Sequence, residues 1–224
     1  MIKLNNVSLM QMNQEIFKNI SLSINKGDFI YLIGDTGSGK SSLLKTLYAE
    51  QKINSGEINI ANINISKILD KQIPTLRKKL GIVFQDFQLL VDRKIYDNLK
   101  FVLEATGWKN KEEINNRILE VLNKVYLNGY QNKMPYELSG GEQQRAVIAR
   151  SLLNYPEIIL ADEPTGNLDP NKSEKIISLL KEINEHEKTT VIIATHDYEI
   201  IRKFPSRTIK CTNKNLEEID PTTL

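Results

Sequence analysis

The junction around residue 34 constrains this chain more than any other feature. The uninterrupted apolar run Phe29-Ile30-Tyr31-Leu32-Ile33 leads directly into Gly34-Asp35-Thr36-Gly37-Ser38-Gly39-Lys40-Ser41, with Ser42-Leu43-Leu44 beyond. An apolar strand, a glycine-rich loop and a helix, in that order, open a parallel α/β sheet buried on both faces. The loop also fits the spacing G-x-x-x-x-G-K-[ST]. Its glycines let successive backbone N–H groups turn toward one anion, and the following helix adds its positive amino end. Gly34, Asp35, Thr36, Gly37, Ser38, Gly39, Lys40, Ser41 and Ser42 are therefore the candidate nucleotide-binding residues. Lys40 is placed to bridge the β- and γ-phosphates of ATP, and Ser41 to ligate Mg²⁺. The plainer reading is a glycine-rich turn between strand and helix; the position straight after a buried strand argues against it.

Two more buried strands are expected at Ile158-Ile159-Leu160-Ala161 and Thr190-Val191-Ile192-Ile193-Ala194. Between them, Ile176, Ile177, Leu180 and Ile183 recur at helical spacing. Strand–helix–strand order predicts right-handed crossovers, with ligand chemistry at the carboxyl ends of the strands. The first of these strands ends in Asp162-Glu163. An acid at the end of a buried strand is costly unless a cation or hydrogen bonds satisfy it. Asp162 is the candidate metal residue and Glu163 the candidate general base for an attacking water. Read alone, the pair is also compatible with a capped strand or a solvent-facing Glu163-Pro164-Thr165-Gly166 turn.

The rest of the chain supports one globular unit. It has 224 residues, 40% hydrophobic and 26% charged, with no repeat, low-complexity tract or long linker. Ile2, Leu4 and Val7, then Ile20, Leu22 and Ile24, then Ile58, Ile60 and Ile63, suggest extended segments ahead of and around the loop. From about Gln85 to Asn154 the pattern turns helical, with Ile114, Ile118, Leu119, Leu122 and Val125 on one face. Thirty basic against 28 acidic residues, a net charge of +2, leave no footprint for nucleic acid. No segment approaches the ~20 apolar residues of a membrane helix, and MIKLNNVSL has no signal-peptide core. The expected place is the cytoplasm. Cys211, the single cysteine, has no partner for an internal disulfide and no local redox motif, and reads as incidental.

Leu138-Ser139-Gly140-Gly141-Glu142-Gln143-Gln144-Arg145 narrows the class. Ser139 followed by Glu142 makes a capping box for a helix carrying Val147, Ile148 and Leu152. That structural role does not account for two adjacent glycines, which let a backbone approach an anion closely at a helix start. The segment resembles the signature LSGGQ of ABC-type ATP-binding subunits, in an LSGGE variant. In that family the signature, here Ser139, Gly140, Gly141 and Glu142, meets the γ-phosphate held by another subunit. The resemblance implies a head-to-tail, ATP-dependent homodimer. It also assigns Gln85 as the glutamine that senses metal and γ-phosphate, Asn167-Leu168-Asp169 as the loop that communicates across the dimer, and His196 as the switch histidine contacting γ-phosphate. Catalysis would then involve Glu163, His196, Gln85 and Lys40, and the metal Ser41, Gln85 and Asp162. The implied fold is α/β: a RecA-like parallel core with an N-terminal antiparallel β-subdomain and a helical subdomain at about 86–155, all in one ATP-binding domain over 1–224.

Within that family, Phe84-Gln85-Asp86-Phe87-Gln88-Leu89-Leu90-Val91-Asp92-Arg93-Lys94-Ile95-Tyr96-Asp97-Asn98 looks most like the FtsE cell-division ATP-binding proteins. The resemblance implies an integral membrane partner similar to FtsX and control of cell-wall hydrolases, with membrane contact only through that partner at the cytoplasmic face. Phe87, Leu89, Leu90 and Val91 either receive a helix of the partner or pack inside the helical subdomain. Two other readings stand beside this one: an ATPase of the lipoprotein-releasing or MacB type, and a soluble ABC protein acting on ribosomes or DNA. The balanced charge and the absence of a second ATPase unit disfavour the soluble protein; Lys40, Asp162, Glu163 and His196 together disfavour an inert scaffold. One departure stands out. Where the family usually carries an aromatic that stacks on adenine, this chain has Gln11 between Met10 and Met12, and a methionine packs on a ring less directionally.

Overall fold

Alternating apolar residues near the amino end form a hairpin rather than joining the main sheet. In a computed structural model, which describes residues 1–223, β1 (Ile2–Gln11) and β2 (Gln14–Ile24) pair antiparallel through the two-residue turn Met12-Asn13. β4 (Ser55–Ile60) lies along the other side of β1 and turns through Ala61-Asn62 into the short β5 (Ile63–Asn64). Both turns have positive φ at both central residues, the geometry that matches the twist of a hairpin.

The second sheet has six strands in the order β10-β9-β3-β8-β7-β6. β3 (Phe29–Ile33), β6 (Leu80–Val83), β7 (Ile158–Asp162), β8 (Thr190–Ala194) and β9 (Arg207–Thr212) run parallel, and β10 (Asn215–Ile219) returns antiparallel along the edge. The continuous apolar runs are buried because both faces are covered. Ile30, Leu32, Ile158, Leu160, Ile192 and Ala194 face one core, shared with the antiparallel sheet and with α1 (Lys40–Leu47). Tyr31, Ile33, Ile159, Ala161, Val191 and Ile193 face a second core. That core is completed by α3 (Ile95–Ala105), α4 (Lys111–Lys124), α5 (Gly140–Leu152) and α6 (Pro170–Glu187). Each such aliphatic side chain withdrawn from water contributes about 1.5–3 kcal/mol before entropy is counted. Two shorter helices complete the fold, α2 (Ile73–Lys78) ahead of β6 and α7 (Tyr198–Lys203) after β8.

The region read as helical from Gln85 to Asn154 is only partly so. Residues 84–94 and 125–139 are mostly irregular, with a single 3₁₀ turn at Pro135–Glu137. On α4 the inward row is Ile114, Ile118, Val121 and Leu122, whereas Leu119 is exposed. Arg117, which belongs by pattern to the polar face, is buried. Its guanidinium lies 3.6 Å from the Tyr155 ring centroid and donates to the carbonyls of Leu152 and Leu153, closing the last turn of α5. Cys211 is a free thiol with a packing role. It is a core residue of β9, and burial pushes its thiol up to about 12, opposed by Lys40.

Candidate active site

The glycine loop hangs between the end of β3 and the start of α1. Gly39 caps that helix with φ 98°, and a Cβ there would stand 2.4 Å from Ile16 Cγ2 and 2.8 Å from Phe17 Cε2. A side chain at Gly34 would meet the Cys211 carbonyl at 2.6 Å. The loop is therefore seated against both sheets, and glycine is required by contact as well as by backbone angle. Lys40 is buried, and its Nζ donates to the carbonyl oxygens of Gly34 at 2.7 Å and Asp35 at 3.1 Å, spanning the loop. Asp35, Thr36 and Gly37 form its exposed rim; Ser38 and Gly39 are half-buried.

β7 brings its two acids to this loop. The Ser41 hydroxyl donates to Asp162 Oδ1 at 3.0 Å. Burial pushes the Asp162 carboxyl above its ordinary range, the Ser41 hydrogen bond opposes this, and the charge of Glu163 adds to the rise. A carboxylate pushed this way gains from a nearby cation. Ser41 and Asp162, with the amide oxygen of Gln85, are hard oxygen donors of the kind that suits Mg²⁺. Among the described residues no cluster of three or more His, Cys, Asp or Glu could hold a metal by itself.

Glu163 has φ 46°, a left-handed conformation costly for a residue of this kind, and its N–H donates to the Ala194 carbonyl at 2.9 Å. Its Oε1 lies 2.8 Å from His196 Nδ1. An ionised carboxylate only accepts, so Nδ1 carries the hydrogen in that pair. His196 is mostly exposed and Glu163 mostly covered. Gln85 joins the group through the turn after Glu163. Asn167 Nδ2 donates to the Gln85 carbonyl at 2.9 Å, and a Cβ on Gly166 would come within 2.8 Å of Gln85 Nε2. Asp169 caps α6, accepting from Lys172 N at 3.0 Å.

Lys40, Ser41, Asp162, Glu163, His196 and Gln85 are thus brought together. The signature lies on another wall. A Cβ on Gly140 would approach Leu168 Cδ2 at 3.3 Å, and one on Gly141 would approach Lys172 Cδ at 3.3 Å, both at the amino end of α5. Ser139 is exposed there, with its backbone N–H and its hydroxyl both donating to Glu142.

Three contacts escape a reading of sequence. Phe87 and Gln88, directly after Asp86, have φ 58° and 48°, and the carbonyls of both accept from the Arg150 guanidinium of α5. Tyr130 donates to Glu142 at 2.7 Å. Ser42, a candidate nucleotide residue, donates its hydroxyl to Gln11 at 2.9 Å. For Arg150 the available signal was its place on the same helix as Ser139; for Tyr130 and Gln11 no spacing rule applies.

Comparisons with known proteins identify the family. A family model described as ABC transporter matches residues 17–166. The cell-division ATP-binding protein FtsE of Streptococcus pneumoniae serotype 2 is 42% identical over 88% of this chain and 84% of its own length. FtsE of Mycobacterium tuberculosis is 45% identical over 86% and 83%. The methionine import ATP-binding protein MetN of Clostridioides difficile is 36% identical over 99% of this chain and 69% of the relative. The ATP-binding cassette MJ0796, solved as a dimer in a post-hydrolysis state with ADP and Pi, superposes with a TM-score of 0.86 at 37% identity, covering 99% of each chain. With a glycine loop between β3 and α1, an acid pair at the end of β7 and paired glycines opening α5, the chain belongs to the ABC transporter family and is one of its ATP-binding, ATP-hydrolysing subunits.

Proposed function

We propose that the chain is the ATPase of an FtsEX-like complex, coupling ATP-driven dimerisation to a membrane partner in cell division and cell-wall hydrolase control. Its similarity to FtsE proteins carries this reading. One ATP-binding domain spans 1–224, with a helical subdomain at about 86–155. Lys40 and the loop amides hold the phosphates. Ser41, Asp162 and Gln85 hold Mg²⁺, which when bound neutralises phosphate charge. Glu163 takes a proton from the attacking water, and His196, oriented by its bond to Glu163, faces the γ-phosphate. Ser139, Gly140 and Gly141 of a second copy, related head to tail, close the site, and hydrolysis lets the two copies part.

The nucleotide base has no aromatic platform at the Gln11 position. Gln11 is exposed and tied to Ser42, and Met12 in the adjoining turn is 93% exposed. ATP and GTP are therefore expected to bind within about threefold of one another. Gln11→Tyr should tighten ATP selectively by up to about tenfold, the worth of roughly 0.5–1.5 kcal/mol of ring stacking. Competition titration measures both; a strong native preference for ATP would refute the first expectation.

The partner sits on the segment after Gln85. Phe87 and Leu89 pack against the helical core, while Leu90 is partly and Val91 largely exposed. Leu90 lines a groove of about 420 Å³ with Phe84, Phe101 and Val102. On this reading the groove takes a cytoplasmic helix of a separate membrane subunit; among the described residues no helix is long and apolar enough to cross a membrane. Leu90→Asp is expected to abolish co-purification with that subunit and leave ATP binding unchanged. The fold should tolerate it, because the Leu90 backbone is pinned to Asn98 at both its N–H and its carbonyl. Undiminished co-purification would overturn this site. The similarity to MetN favours a second reading, a transport ATPase. Mass spectrometry of the co-purified membrane subunit separates the two.

A further inference from the structure

The amino end of α5 offers unpaired N–H groups and partial positive charge, a setting that draws an anion. Here one is already in place. Glu142 Oε2 accepts from the Ser139 N–H at 2.8 Å and from the Ser139 hydroxyl at 2.7 Å, and Oε1 accepts from the Tyr130 hydroxyl at 2.7 Å. A serine hydroxyl has one proton to give, and that of Ser139 is committed inward although the residue itself is exposed. The bonds from Ser139 and then Tyr130 hold the Glu142 carboxyl down at about 2 against the cost of burial, with Arg145 assisting, so the group is ionised at any physiological pH.

We propose that Glu142 is a built-in anion that competes with the terminal phosphate of ATP on the facing copy for the Ser139 proton and the α5 amino end, and so restrains nucleotide-driven dimerisation. The inference rests on the head-to-tail reading above. Tyr130 bonds the other carboxylate oxygen, Oε1, so its removal leaves the two Ser139 bonds to Oε2 in place. Glutamine at this place preserves shape and can still accept from the Ser139 N–H, but it carries no charge to oppose a phosphate.

The test is an ATP titration of dimer mass by light scattering in a Glu163→Gln background, at about 0.05 M and about 0.5 M NaCl. Adding Glu142→Gln is expected to lower the half-dimerising ATP concentration about tenfold at low salt, equivalent to about 1.4 kcal/mol, with the gap narrowing at high salt. Glu142→Ala should shift it in the same direction, and serves if the glutamine variant folds poorly by circular dichroism. Tyr130→Phe keeps the charge and should stay within about threefold of the background. A parent that dimerises with ATP while neither Glu142 variant dimerises more tightly overturns the restraint alone. A Tyr130→Phe variant that reproduces the full shift also overturns it, by removing charge as the cause. A parent and Glu142 variants that all stay monomeric in ATP overturn the head-to-tail reading, and the restraint falls with it.

Discussion

Glu163→Gln is expected to lower ATP turnover by on the order of 10²–10⁴-fold, the usual worth of a positioned general base, and to leave a dimer that persists as long as ATP is present. The substitution is nearly isosteric, so the left-handed backbone at φ 46° and the N–H bond to Ala194 need not change. An amide still pairs with His196 Nδ1 but has no lone pair basic enough to take a proton from water. Phosphate contacts through Lys40 and the loop amides are untouched, so binding and bridging proceed while cleavage stops. Removing the charge of Glu163 also relieves one of the influences that raise the Asp162 pKa. Because an acid with a raised folded-state pKa loses stability as pH climbs through its unfolded value, the variant should be no less stable than the parent at neutral pH. Phosphate release and light scattering on one sample check both halves. Normal hydrolysis would remove Glu163 from its assigned role, and a variant that stays monomeric in saturating ATP would count against the ATP-driven dimer.

Lys40→Ala is expected to weaken ATP binding itself by at least about 100-fold, equivalent to about 2.7 kcal/mol, a cost in keeping with a charge-assisted contact to phosphate. The ammonium is buried and held by the Gly34 and Asp35 carbonyls, so it is oriented before any ligand arrives. Without it, the Gly34 and Asp35 carbonyls lose their donor and the loop loses its one buried cation. Lys40→Arg should not rescue, since the planar guanidinium is larger than the ammonium the loop encloses. Calorimetric titration with a slowly hydrolysed analogue reads the loss. Undiminished affinity would mean that the loop binds without its lysine.

Much of this site is legible in sequence because it is built from local rules. Unbroken apolar runs need no distant context to be read: Phe29–Ile33 and Ile158–Ala161 are continuous because both sheet faces are covered, and Gly34–Ser41 follows one of them directly. What escapes depends on distant partners. Arg207–Thr212 and Asn215–Ile219 alternate with Lys210, Glu217 and Glu218, a polar pattern whose strand character comes from pairing at the sheet edge beside β3. Arg117 sits on an apparently polar helix face, yet is buried against Tyr155, which lies 38 residues away in sequence (155 − 117). The left-handed pair Phe87-Gln88 contains neither glycine nor asparagine, and it is held by the Arg150 guanidinium from α5, by the Gln88 N–H bond to the Asp86 carbonyl and by packing of Phe87 on the helical core. Tyr130 and Glu142 meet across a loop no periodicity describes.

The division of the interior by a single sheet bears on how the molecule comes apart. Because β3, β7 and β8 send alternate side chains into opposite cores, neither half can melt without stripping cover from the other. Partial openings then belong to the periphery, to the 84–94 and 125–139 stretches whose backbones are mostly outside the ladders. The glycine loop is tethered to β3, which lies inside that sheet between β9 and β8, so the periphery can loosen while the loop keeps its seat.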